Sequence, residues 1–290
     1  MDEKEIDMKK LIENQEFWGE RPLYYENDLA IKGVTIHTGE SSLKECTDIE
    51  AEGCTFDGKY PLWCCNRVKV KDCTFLEGAR SGIWHTENIE ITDTLMGSPK
   101  MFRETNGIAL RNVRFPNAEQ TLWACNNIYA EDIIADKADY IFLHCSNATV
   151  KNITINGNYA FQKASYVEIF NSNLQSKDSF WECENVTVYD SIINGEYLGW
   201  HSKNLRLVRC RIGGTQPLCY AENLVLEDCI FEPDADLAFE YSSVKATIVN
   251  EVPSVKNPRT GFICAKSYGE IILDEHIKAP ADCNITTYEA

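Results

Sequence analysis

Residues 204–233 read NLRLVRCRIGGTQPLCYAENLVLEDCIFEP. An Asn opens the phrase, followed by two apolar residues separated by a polar one, then a Cys, then an Ile or Phe two places on. The phrase begins again at Asn223, nineteen residues later. With Asn204 as position zero, it can be placed at Asp28, Asp48, Arg67, Asn88, Gly107, Asn127, Asn147, Tyr166, Asn185, Asn204, Asn223 and Ser243, in steps of 19 to 21 residues. A fixed period near twenty residues is the mark of a solenoid.

Positions +1 and +3 are apolar and mostly β-branched or Leu, as in Val167/Ile169, Val186/Val188 and Leu205/Leu207. They alternate with polar residues, which is the pattern of a strand with one buried face. Positions +6 and +8 repeat the theme, as in Cys54/Phe56, Cys73/Phe75, Cys210/Ile212 and Cys229/Phe231, and turn residues follow at Asn156-Gly157 and Gly213-Gly214. No L-x-x-L-x-L frame or helical segment supports a leucine-rich repeat. The pattern predicts an all-β parallel β-helix of about twelve coils, roughly 55 Å long at the usual strand spacing. One domain accounts for the chain: an N-terminal cap over 1–27, regular coils over 28–249, and an irregular last coil and cap over 250–290. Residues 3–14, with Ile6, Leu11 and Ile12 apolar, are expected to form a capping amphipathic helix. The period breaks at NEVPSVKNPRTG, residues 250–261.

The recurring Asn suits a corner, because it tolerates left-handed backbone and can ladder from coil to coil. The same reading explains the four glycosylation-like triplets as corners. The chain has thirteen Cys. Rows such as Cys46, Cys65, Cys125, Cys145 and Cys183 read as small inward hydrophobes in preference to a metal or redox string. No pair has C-x-x-C spacing, so no zinc site is expected, and nothing calls for a cofactor.

A net charge of −17 argues against nucleic acid and anionic membranes as partners. The N-terminal stretch has no apolar core of a signal peptide and no window reaches membrane-span length, so a cytoplasmic location with reduced thiols is expected. The sequence leaves the oligomeric state open.

Two adjacent rows carry the unusual chemistry. Position −3 reads Glu45, Cys64, His85, Glu104, Ala124, His144, Lys163, Glu182, His201, Tyr220 and Glu240. Position −4 holds five of the six Trp residues: Trp63, Trp84, Trp123, Trp181 and Trp200. Position −5 is largely apolar. Three successive positions cannot share a face in a flat strand. Either the Trp residues point out beside the charges at a bend, or they are core; the burial tendency of large aromatics favours core for most of the row.

Neighbours in adjacent coils lie about 4.8 Å apart. Lys163, Glu182, His201 and Tyr220 are therefore consecutive, and supply a base and a charge stabiliser of the kind β-elimination on an acidic sugar requires. His85, Arg103 and Glu104 form a second cluster. Glu104 and Glu182 are four coils apart, roughly 19 Å, and Asp178, on the coil of Glu182, is four residues from it and too far if extended, which argues against an ordinary glycosidase carboxylate pair. Trp84, Trp123, Trp181 and Trp200 are the candidate ligand-stacking residues. Carbohydrate binding or modification, possible ligands being an oligosaccharide or another small molecule, is one function class. The other is a scaffold without chemistry, in which the charged row is only a cross-coil ladder.

Several longer words sharpen this: GER at 19–21, SSLKE at 41–45, YPLW at 60–63, ARSGIW at 79–84, SPKMFR at 98–103, KDSFWECENVTVY at 177–189, GEYLGWHSKNL at 195–205, LCY at 218–220 and AFEYS at 238–242. Together they resemble a bacterial family known as domain of unknown function 3737, over nearly the whole chain. The resemblance implies a right-handed parallel β-helix of the pectin-lyase-like class and no particular reaction. That wider class includes polysaccharide lyases, hydrolases and esterases, and also adhesins and spikes.

Overall fold

The computed structural model describes residues 9–278 and 281–288. The chain winds into a right-handed parallel β-solenoid of about 15 coils. Every strand pairing is parallel, and like positions pile into files. Val167 lies over Val186 and Val186 over Leu205, while Arg206 lies over Val225, one residue past Leu205 and Leu224. Strand spacing of about 4.8 Å makes the rod about 65–70 Å long.

A typical coil has two short strands and a run of turns. Lys203–Val208 and Arg211–Gly213 are the strands of one such coil, and residues 214–223 bring the chain back to its starting point. In the middle of the rod the two strands merge, as in Asn126–Asp136 and Ser146–Asn158. Corners are made by left-handed residues. Asn185, Asn204 and Asn223 have φ of 56°, 52° and 54°, and Asp190 and Arg209 repeat this five places on with φ of 50° and 51°. The expected amide ladder is present. Asn204 Nδ2 donates to Asn185 Oδ1 at 2.8 Å, and Asn223 Nδ2 to Asn204 Oδ1 at 3.1 Å. At the next corner Gly214 has φ +95°, and a Cβ there would lie 2.4 Å from the Gly195 carbonyl carbon, so only Gly fits.

Positions +1, +3, +6 and +8 fill the interior, as in Leu205, Leu207, Cys210 and Ile212, all buried. Position −5 adds an aromatic stack: Phe142 and Phe161 have ring centroids 4.6 Å apart, Phe161 and Phe180 5.4 Å. The Cys rows are core, and they also hydrogen-bond. Cys65 Sγ donates to the Leu43 carbonyl at 2.7 Å and Cys145 Sγ to the Leu122 carbonyl at 3.0 Å. A hydroxyl can do the same: Thr86 Oγ1 donates to the Leu62 carbonyl at 2.8 Å and, at a neighbouring position, Ser242 Oγ to the Leu218 carbonyl at 2.6 Å. The row is filled by small side chains, Ala164 and Ala221 among them, and several of these donate to a carbonyl of the preceding coil, where a buried carbonyl left unpaired would be costly.

Both expected caps need correction. Residues 10–13 are a strand, not part of a helix, and Lys10–Glu13 pairs in register with Leu29–Lys32. The unpaired edge of that second strand offers a row of backbone hydrogen bonds that outweighs the local reading of this charged stretch as a surface helix; the rest of the expected helix, at 3–8, lies outside the described residues. At the other end the solenoid continues through the strands Ser243–Lys256, Thr260–Ile272 and Asp282–Thr287. Val244 lies over Gly261, and Gly261 over Cys283. Corner length changes there, so the sequence phrase is lost while the stacking persists. One coil before and two after the regular twelve raise the count.

Phe180→Ala removes one ring from the continuous stack and should lower stability by about 3–5 kcal/mol, measured by denaturant titration.

Candidate functional site

The two chemistry-bearing rows lie on one outer edge of the rod. Positions −5 and −2 both point inward: Phe180 and Cys183 are buried, as are Leu62 and Cys65. Between them position −3 is left-handed in coil after coil, with φ of 55° at Lys163, 53° at Glu182, 55° at His201 and 58° at Tyr220. A left-handed residue breaks strand alternation, so positions −4 and −3 both face outward. The favoured burial of the Trp row is thereby corrected. Trp63, Trp84, Trp123, Trp181 and Trp200 are each half-buried and none belongs to the core. Some lie along the surface because their ring N–H is tied to a carbonyl. Trp200 Nε1 donates to the Gln216 carbonyl at 2.8 Å, and Trp84 Nε1 to the Lys100 carbonyl at 3.3 Å.

Lys163, Glu182, His201 and Tyr220 do stand on consecutive coils, but as two pairs. Lys163 Nζ is 3.3 Å from the Glu182 carboxylate, with both side chains nearly half exposed. His201 stacks on Tyr220 with centroids 5.0 Å apart and planes inclined by 19°. Among the described residues no hydrogen bond joins Glu182 to His201. The aromatic groups form a continuous strip instead: Trp181 to Trp200 is 6.0 Å, Trp200 to Tyr220 5.2 Å, and Tyr220 to Tyr241 5.6 Å between centroids. Burial, then the nearby Glu240, raises the Tyr220 pKa, which keeps its phenol protonated and able to donate.

In the second cluster His85 Nδ1 is 3.3 Å from the Glu104 carboxylate. Arg103 turns away from that pair. Its guanidinium lies between two indoles, 4.9 Å from the Trp84 ring centroid and 4.5 Å from that of Trp123.

A larger groove of about 680 Å³ lies elsewhere, on the strand face lined by Asn185, Asn204, Asn223 and Arg206. Its polar groups already serve one another: the amides form the ladder, and Arg206 grips Glu227 at 2.8 Å. Less is left there for a ligand than on the aromatic strip. Among the described residues no group of His, Cys, Asp and Glu is arranged to hold a metal ion.

Asp178, set aside in the sequence as too far from Glu182 for a carboxylate pair, has a second property that the sequence did not show. Position −7 reads Tyr140, Tyr159, Asp178, Tyr197, so a short acid interrupts a file of tyrosines. Tyr140 and Tyr159 stack at 4.7 Å. Asp178 is 2% exposed, and its Oδ1 has no hydrogen-bond partner. Burial pushes its pKa up, partly offset by Lys177. Interruption of a local run of tyrosines was the signal available. A folded-state pKa above the unfolded value means stability is fully present below the unfolded pKa and declines as pH rises through the folded one. Asp178→Asn should therefore be more stable than wild type near pH 7, and the difference should vanish near pH 3. Denaturant titrations at the two pH values check this; a difference independent of pH would contradict it.

The sequence matches no curated protein. In structure the chain is similar to an alginate lyase, AlyF-OU02, with a TM-score of 0.55 at 9% identity, covering 98% of this chain and 84% of that one. It is more distantly similar to the A-module of the Azotobacter vinelandii mannuronan epimerase AlgE4 (TM-score 0.37, 10% identity, 94% and 90% covered). The Streptococcus pneumoniae surface adhesin PfbA gives a TM-score of 0.33 at 10% identity, with 89% and 71% covered. At such identities these likenesses speak to fold alone. Residues 10–286 match the model of a protein family of unknown function, DUF3737, and the chain belongs to that family.

Proposed function

We propose that this protein binds a linear, uncharged oligosaccharide on the strip formed by Trp181, Trp200, His201 and Tyr220. The observation that carries the reading is the unbroken run of half-buried or exposed rings on successive coils, with centroids 5.0–6.0 Å apart. Aromatic faces take up the apolar faces of sugar rings, and their polar edges pair with hydroxyls. The coil rise of about 4.8 Å is close to the length of one pyranose residue in a β-linked chain, so ring and sugar stay in step.

Charge separates this ligand from the alginate of the structural neighbour. The chain carries −17, and the cations along the strip are already engaged: Lys163 with Glu182 at 3.3 Å and Lys256 with Glu240 at 3.2 Å. A polyanion would meet neutralised cations in a negative field. The same pairing supports binding over lyase chemistry, because Lys163 and Glu182 neutralise each other instead of serving as stabiliser and base. Thirteen unbridged thiols fit a reducing, cytoplasmic setting.

A protein-docking scaffold is the competing reading, favoured by the surface ion pair between Lys163 and Glu182. A glycan array probed with wild type, Trp181→Ala and His201→Ala separates the two. Binding to neutral glycans is expected, falling about ten-fold or more in each variant, a loss of about 1.4 kcal/mol. No binding to any glycan by the wild type would retire the carbohydrate reading in favour of the scaffold.

A further inference from the structure

Three to five coils from that strip, a groove of about 560 Å³ opens beside the Trp84–Arg103–Trp123 stack. It lies on the same outer edge of the rod but has a different electrostatic character. Arg80, Lys100 and Arg103 all line it, with Tyr60 and Trp84 as aromatic walls. None of the three cations is in an ion pair among the described residues. Other arginines of the molecule are held by carboxylates, as Arg209 is by Asp190 at 2.6 Å and Arg67 by Asp48 at 2.6 Å. The nearest candidate to neutralise Arg103, Glu104, is engaged by His85.

Arg103 is held as well as unpaired. Parallel bridges tie its backbone to Trp84 and Trp123, and its guanidinium is flanked by both indoles at 4.9 and 4.5 Å. Stacking occupies the two faces of the guanidinium and leaves its N–H edge, the part that grips an oxyanion bidentately. Side-chain entropy is thus lost before any ligand arrives. Glu119 is the single carboxylate among the lining residues, so three cations less one anion leave a local charge of two. A phosphomonoester near neutral pH carries almost that charge with opposite sign, whereas a carboxylate carries half of it.

We propose that this groove binds a small phosphomonoester, its phosphate on Arg80, Lys100 and Arg103 and its attached ring against Tyr60. The volume is within the range of small-ligand sites. A phosphate satisfies the guanidinium edge and two cations at once, and the excess of positive charge in an otherwise acidic protein gives the site its selectivity.

The test is calorimetric titration of the whole chain with glucose 6-phosphate, glucuronate and glucose. Glucose 6-phosphate is expected to bind tightest, and Arg80→Met/Lys100→Met to weaken it ten-fold or more. Arg80 is exposed and Lys100 half-buried, so the double variant should keep its fold, which thermal melting verifies. Glu119→Gln should shift affinity the other way, tightening binding at least two- to three-fold. The proposal is overturned if glucose or glucuronate binds as tightly as the phosphate, if the double variant binds glucose 6-phosphate like wild type, or if Glu119→Gln weakens binding.

Discussion

Left-handed corners are the constraint on which everything else depends. A coil of nineteen or twenty residues must close on itself tightly enough for its neighbours to stack, and it turns through residues with positive φ. Such turns cost conformational energy for any residue but Gly, less for Asn and Asp. The cost is offset by what the corners allow: backbone pairing from coil to coil, amide ladders outside, and thiol or hydroxyl donors reaching carbonyls inside. The interior Cys and the exterior Asn thus answer the same geometric demand from opposite sides of the backbone.

The same corners explain what the sequence revealed and what it withheld. Period, strand phase and core were legible because they follow from alternation, and Val186, Leu205 and Leu207 fall where alternation puts them. The direction of the Trp row was not, because alternation fails at a residue such as His201, whose φ is 55°. Positive φ at His, Glu or Lys leaves no compositional trace of the kind Gly leaves. The first coil was misread for another reason: a charged stretch with only Ile6, Leu11 and Ile12 apolar reads locally as a surface helix, while the template strand at Leu29–Lys32 is distant in sequence. The burial of Asp178 was not legible, because it depends on packing in three dimensions and not on its own neighbours in the chain.

Of the candidate site, the residues were legible and their partners were not. Consecutive coils do bring Lys163, Glu182, His201 and Tyr220 together, as the period requires. Whether Glu182 turns to Lys163 or to His201 is a matter of side-chain reach, which a one-dimensional pattern does not encode. Arg103 is the clearer case: beside Glu104 in sequence, it is spent on two indoles one coil away on either side. Aromatic rows on this rod therefore do two jobs, leaving rings open near Trp200 and immobilising a cation near Trp84.

Coil-on-coil stacking also dictates how the chain must assemble. Each coil touches little beyond the one before and the one after, so native order has to spread along the axis like a zipper from wherever a few coils first associate. The Phe142–Phe161–Phe180 stack, at the middle of the rod, is the natural starting point. Growth then runs outward in both directions, and the terminal coils, with a neighbour on one side only, are the last to form and the first to exchange their amide protons.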